Sequence, residues 1–176
     1  TGTLTQNKMV VTDLYDGQEA IKVSGNGYAF SGTLESTNDN TQWIAQISAL
    51  CNDAQILDDE YIGDPTELAL VTLAHKHGLD HQALRKRAPR ISEAPFDSDR
   101  KRMSTAHQIL DDPIMLTKGA PDSILDVSTH MLKNGEEIAL SDAMKEEILA
   151  MNESFAQDAL RVLGFAYKKI VSGDDL

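Results

Sequence analysis

Four short stretches of this chain carry side chains whose types and spacing suit chemistry. The first is APFDSDRKRMS, where Phe96 stands beside a dense polar string, with Lys101 and Arg102 five and six positions on. An aromatic face with cations close by suits an adenine ring and its phosphates, since stacking holds the base and Lys or Arg meets the anionic tail. A core residue at a strand end is the competing account of Phe96, and composition alone favours it. The second stretch is LTKGAP. Lys118 follows an expected strand, Gly119 lets a ligand approach the backbone, and a helix starting near Ala120 would bring its N-terminal amides to an anion. An ordinary surface turn fits those residues equally well. The third is GDPTE, in which Glu67 is either a capping carboxylate or an acceptor for a ligand amine. The fourth is RVLGFAYK: Arg161 either pairs with a surface carboxylate, worth little, or grips phosphate oxygens with its fork of donors.

Other chemistries are missing from the pattern. There is no H-E-x-x-H, C-x-x-C, G-x-S-x-G or G-x-x-x-x-G-K-[ST]. His75 and His77 point to different faces of an expected helix, and Gly78 interrupts His77 and His81, so no metal site is expected there. Asp58-Asp59-Glu60 lacks the glycine and spacing of a calcium loop and is expected to be a solvated acidic loop. GNGYAFSGT contains a G-x-G without the strand-to-helix setting of a dinucleotide fingerprint, so a turn or hairpin is expected.

The elements that must position these residues follow from periodicity and punctuation. Short strands are expected at Met9–Val11, Ile21–Val23 and Tyr28–Phe30. TQWIAQISALCND has helical spacing, and LDDEYIG reads as a loop. GDPTELALVTLAHKHG has Asp64 as N-cap, Pro65 at the first helical position, Glu67 placed for a capping box and Gly78 as the stop. DHQALRKRA reads as a short helix. RISEAPF, KRMSTAHQIL and PIMLTKG read as strands with Asp111-Asp112-Pro113 as a turn. APDSILDVSTHML reads as a helix, NGEE as a turn, SDAMKEEILAMNESFAQDAL as an amphipathic helix capped by Ser141, and RVLGFAYKKIV as a closing strand. Together these give an α+β fold: one antiparallel sheet carrying helices, with no linker that splits it.

Bulk properties narrow the function classes. A net charge of −12 over 176 residues argues against binding a nucleic-acid backbone. A single cysteine, Cys51, cannot form an internal disulfide, which fits a reducing compartment. No apolar run approaches the roughly 20 residues of a membrane span.

In order along the chain, TGTLTQNKM, CND, GDPTELAL, PFDSDRKRMS, KGAPD and RVLGFAYK resemble the successive motifs of the P-type cation-transporting ATPases. TGTLT resembles the continuation of the phosphorylation motif D-K-T-G-T-L-T, whose Asp is the nucleophile. The resemblance implies that residues 1–8 are a remnant of the phosphorylation domain, that 9–176 form the nucleotide-binding domain, and that the nucleophilic Asp is missing. The chain alone is then expected to be catalytically inactive. The implied fold is a twisted antiparallel sheet flanked by helices. The implied site has Phe96 stacking on adenine, Glu67 near the adenine amino group, Lys118 lining the pocket, Lys101 and Arg161 near the phosphates, and Met103 and Gly119 in the wall. Thr1 and Thr3 correspond to positions near the γ-phosphate. One departure is Ser98, where some relatives carry an Arg; Arg100 or Lys101 would compensate.

The resemblance further implies Mg-ATP as ligand, with the Mg²⁺ ligands outside this chain. The partners it implies are phosphorylation and actuator domains, on the cytoplasmic face of a membrane that this part does not touch. The isolated domain is expected to be a monomer without nucleic-acid partners. The motif forms are similar to the branch moving calcium or sodium and potassium, with calcium favoured. Two alternatives differ in class: a haloacid-dehalogenase-like enzyme, suggested only by TGT, and a non-catalytic regulatory or partner-binding acidic module.

Overall fold

A computed structural model describes residues 9–25, 30–58 and 60–171. The TGTLTQNK stretch with Thr1 and Thr3, Tyr28 of the third expected strand, Asp59 of the acidic run and the final SGDDL lie outside the described residues. The chain forms two compact units, Thr1–Arg87 and Ala88–Leu176, and the boundary between them carries no Gly- or Ser-rich linker.

The first unit runs β1 (Asp13–Tyr15), β2 (Ala20–Lys22), α1 (Asp39–Leu50), β3 (Gln55–Leu57), β4 (Glu60–Ile62), α2 (Pro65–Lys76) and α3 (His81–Arg87). Met9–Val11 lies outside any strand, and the first strand begins at Asp13 instead. β1 and β2 form an antiparallel pair, with Val23 bridging to Leu34. α1 starts at an Asn38 capping box: the Asn38 side chain accepts from the Thr41 N–H at 3.0 Å, and Thr41 Oγ1 accepts from the Asn38 N–H at 2.8 Å. α2 starts where its sequence grammar says. Asp64 accepts from the N–H groups of Thr66 and Glu67, Pro65 needs no partner, and Gly78 follows the end with φ +98°. LDDEYIG is not a plain loop but most of a hairpin, β3 with β4. Its turn residue Asp58 takes φ +54°, and Ile56 is buried against Ala54, Leu68 and Val71, which offsets the charge of the acidic run around it.

The second unit runs β5 (Arg90–Asp97), β6 (Arg102–Ile109), β7 (Asp112–Gly119), α4 (Pro121–Asp126), β8 (His130–Lys133), β9 (Glu136–Ala139), α5 (Asp142–Gln157) and β10 (Gly164–Lys169). Its main sheet has the order β10-β7-β6-β5, antiparallel throughout. Helices and antiparallel sheets together make the fold α+β, as expected, although among the described residues three two-stranded sheets accompany the large one. The helix expected over APDSILDVSTHML stops at Asp126, and His130–Lys133 becomes a strand. The reason is local: Asn134 and Gly135 both take positive φ, 53° and 79°, the conformation of a two-residue hairpin turn that pairs β8 with β9. α5 turns Met144, Ile148, Met151 and Phe155 inward as a half-buried stripe at helical spacing, and it packs against α4. The closing strand begins at Gly164, three residues later than the RVLGFAYKKIV stretch suggested.

Candidate functional site

Register across the large sheet brings several candidate residues into one row. Met103 on β6 pairs directly with Lys118 on β7, and Lys118 pairs in turn with Phe165 on β10. Directly paired residues share a face, so these three side chains line up side by side. At the other edge, Ala94 pairs with Ser104 and Asp97 with Arg102. Pro95 and Phe96 therefore face the single residue Met103, which makes a β-bulge, a device that re-aims a side chain out of strict alternation. Pro95 is tolerated because β5 is an edge strand. Phe96 is 64% exposed, whereas Met103 and Lys118 are only 4% and 8% exposed. An exposed aromatic ring thus ends a row that leads to a buried lysine. This settles the alternative for Phe96: it is not a core residue.

The opposite face of the sheet is taken. One position along, Gly119 pairs with Gly164, and alternation turns both to the other side. A Cβ on Gly164 would meet Ile124 and Pro121 of α4 at 3.2–3.3 Å, so α4 sits there. A Cβ on Gly119 would fall on the Lys101 carbonyl oxygen and within 2.6–2.7 Å of Arg102. The room that the missing side chain leaves is filled by the protein's own backbone, and that contact explains the glycine.

The β5–β6 turn is built as firmly as the strands. Asp97 Oδ1 accepts from the Asp99 N–H at 2.7 Å and from the Arg100 N–H at 3.4 Å. Lys101 takes φ +59°, and its carbonyl accepts from the Ala120 N–H at 3.0 Å, tying DRKR to KGAP. The Arg100 guanidinium lies 3.4–3.5 Å from the carbonyls of Ala94, Pro95 and Arg102, and Arg102 donates to Ser123 Oγ at 3.0 Å. Those two arginines brace the turn, and Lys101 stands exposed at its tip. Arg161 is exposed and precedes β10 in an irregular segment that follows Ala159 at φ +61°.

Farther along the Lys118 face, Tyr167 donates to Glu137 Oε1 at 2.9 Å. Burial, and then the Glu137 carboxylate, push the phenol up to about 12, so Tyr167 stays a neutral donor. Phe165 was absent from the sequence-derived set. It lies within RVLGFAYK, but only the register of β10 on β7 reveals that it stands beside Lys118.

Glu67 belongs to the first unit. It does not close a capping box on Asp64. Its carboxylate Oε2 accepts from the Asp53 N–H at 3.1 Å, and its carbonyl accepts from Asn52 Nδ2 at 2.8 Å. Asn52, buried, also donates to the Ser48 carbonyl at 2.9 Å and accepts from the Ala54 N–H at 2.7 Å. CND and GDPTE are thus one knot joining the end of α1 to the start of α2.

Comparisons with known proteins identify the family. The family described as "P-type ATPase, cytoplasmic domain N" matches residues 40–175. Calcium-transporting ATPase 1 of Bacillus cereus is 41% identical over 174 residues, 99% of this chain and 19% of that protein. A calcium-transporting ATPase of Listeria monocytogenes is 37% identical over 171 residues, 97% of this chain and again 19% of the relative. The chain therefore spans about a fifth of the length of these curated relatives. With the family matched over most of its length, this chain belongs to the P-type ATPases, as their cytoplasmic domain N.

Proposed function

We propose that the chain binds ATP, with adenine stacked on Phe96 and the phosphates met by Lys101, Lys118 and Arg161, and that it presents the γ-phosphate to a phosphorylatable aspartate of a neighbouring domain. The observation that carries this is the row from exposed Phe96 through Met103 to buried Lys118 and Phe165. An exposed aromatic ring in line with a lysine suits a base followed by an anionic tail. Gly119 keeps the wall beside Lys118 close to the turn that carries Lys101. Glu67 enters through the family resemblance, as acceptor for the adenine amino group.

Mg²⁺ would travel on the phosphates. Phe96, Met103, Lys118 and Phe165 offer no oxygen ligand, so this row fits the nucleotide rather than the ion. The relatives' names support a parent that moves calcium; the family resemblance supplies the reading that it does so through an aspartyl phosphate. An isolated domain holding one stacked ring and a few charged contacts is expected to bind with a submillimolar to millimolar constant, roughly 4–5 kcal/mol.

Calorimetric titration with ATP of the chain and of Phe96→Ala tests the proposal. Saturable binding that weakens strongly in the variant supports it. Binding unchanged by the substitution, or none by a folded sample at several times the expected constant, contradicts it and favours a partner-binding acidic module.

A further inference from the structure

The first unit holds a cluster that the sequence spacing concealed. His75 lies in the last turn of α2 and His81 opens α3. Six residues apart and separated by the Gly78 turn, they meet: His75 Nε2 and His81 Nδ1 are 2.7 Å apart. Asp80 stands beside them, and one ligand atom from each of the three lies within 4.8 Å of the other two. We propose that His75, Asp80 and His81 form a binding site for a divalent cation of the zinc class.

Three features carry the inference. Two imidazole nitrogens and a carboxylate are the donor set that Zn²⁺ and its neighbours prefer, with water completing a tetrahedron. The His75 ring is held from the outside by Phe30, stacked at a centroid distance of 3.7 Å and 3° from parallel, so its Nε2 is aimed rather than free to swing. The Asp80 carboxylate is anchored too: Oδ1 accepts from the N–H groups of Gln82 and Ala83 at 2.9 and 3.2 Å, which leaves Oδ2 for a metal. Asp80 is exposed and gives the ion a way in from solvent.

The proton arrangement is compatible with a metal. The His81 backbone N–H points at His75 Nε2, 3.4 Å away, which marks that nitrogen as an acceptor. His81 Nδ1 must then carry the proton it shares with His75. That leaves His81 Nε2 buried with no hydrogen-bond partner among the described residues, an arrangement with a cost. A cation between the rings would take the lone pairs of His75 Nε2 and His81 Nδ1, and the neutral His81 proton would move to Nε2, which stays buried in either state. The two nitrogens need only separate to about 3.3 Å to accept bonds of about 2.0–2.1 Å. Bound there, the ion would fasten the end of α2 to the start of α3.

The test is a titration of the untagged chain with zinc chloride, read by calorimetry and by NMR correlations of the imidazole ring nitrogens. One saturable site is expected, with ring signals of His75 and His81 shifting while those of His77, His107 and His130 stay in place. His75→Ala and Asp80→Asn should each weaken the site by about tenfold or more; Asp80→Asn keeps a helix-capping oxygen, so it remains informative if His75→Ala does not fold. Zinc should raise the melting temperature of the chain and not that of the variants. No saturable binding up to about millimolar zinc, or binding that both folded variants retain in full, would overturn the proposal and leave the pair as an ordinary histidine–histidine hydrogen bond.

Discussion

Met103 and Lys118 face one another directly across β6 and β7, and the bulged pair Pro95–Phe96 faces Met103 from the other side. Residues 22 positions apart in sequence, Phe96 and Lys118, are thereby set two strands apart in a row. Several consequences of that row, and of the contacts that hold the two units, can be measured.

Phe96→Ala separates binding from stability. The ring is mostly exposed, so its loss should change the unfolding free energy by no more than about 0.5 kcal/mol. Stacking of a base on an aromatic ring is worth about 1–3 kcal/mol, so ATP affinity should fall roughly 5- to 150-fold. Urea unfolding and calorimetry on the same samples read both quantities.

Lys118→Met keeps the buried hydrocarbon and removes the charge. A charge-assisted hydrogen bond is worth about 1.5–3 kcal/mol, so ATP should bind roughly tenfold more weakly or worse, while adenosine, which has no phosphate, should bind as before. Lys101→Ala should show the same contrast more weakly, because its ammonium is exposed to solvent. Competition titrations with ATP and adenosine distinguish the outcomes; equal losses for both ligands would place the lysines away from the phosphates.

Gly119→Ala should be costly to the fold even when no ATP is present. The added methyl collides with the Lys101 carbonyl and Arg102, and the neighbours are backbone in strand and turn, which yield little. Overpacking of this kind costs about 1–3 kcal/mol. Denaturant midpoints would read it, and a neutral result would show that the DRKR turn is looser than its hydrogen bonds imply.

Asn52→Ala should destabilise the first unit. It strips a donor from the buried Ser48 carbonyl and from the half-buried Glu67 carbonyl, and the acceptor from the buried Ala54 N–H. Leaving a buried group such as the Ala54 N–H unpaired costs about 1–3 kcal/mol. Glu67→Gln retains an acceptor for the Asp53 N–H and should be far milder.

Asp16 gives the chain a defined acid sensitivity. Burial works to raise its pKa, but the N–H groups of Glu19 and Gln18 and the Asn38 amide hydrogen-bond its carboxylate and the net effect is a lowered value. A depressed folded pKa contributes stability that is fully present above the unfolded value, about 3.9. That stability is lost as pH falls through the lower folded value. Melting temperature should therefore drop between about pH 5 and 2, and Asp16→Asn, less stable near neutrality, should show a shallower acid limb.

Much of this was legible in the residues. Asp64, Pro65 and Gly78 marked α2 because capping chemistry is local, and the three strands around DSDRKR and DDP were readable from alternation and turns. The hairpin hidden in LDDEYIG was not, because its acidic surface masks the one buried residue, Ile56, that secures it. The β8–β9 hairpin was half legible: Asn134-Gly135 announced a turn, but four-residue strands on either side carry too little pattern to be seen. Phe165 and the His75–His81 contact needed the third dimension. One depends on the register of β10 against β7, the other on the direction in which the chain leaves Gly78.

The central claim is that this chain holds ATP on the Phe96–Lys118 row, and an ATP titration followed by two-dimensional amide NMR tests it most directly. The account predicts saturable shifts centred on Phe96, Met103, Lys118 and Gly119 and extending to Phe165, and needing clearly more ATP to reach the same size in Phe96→Ala. Shifts clustered elsewhere, or a folded sample whose spectrum is unmoved by several millimolar ATP, about ten times the tighter end of the expected range, would contradict it.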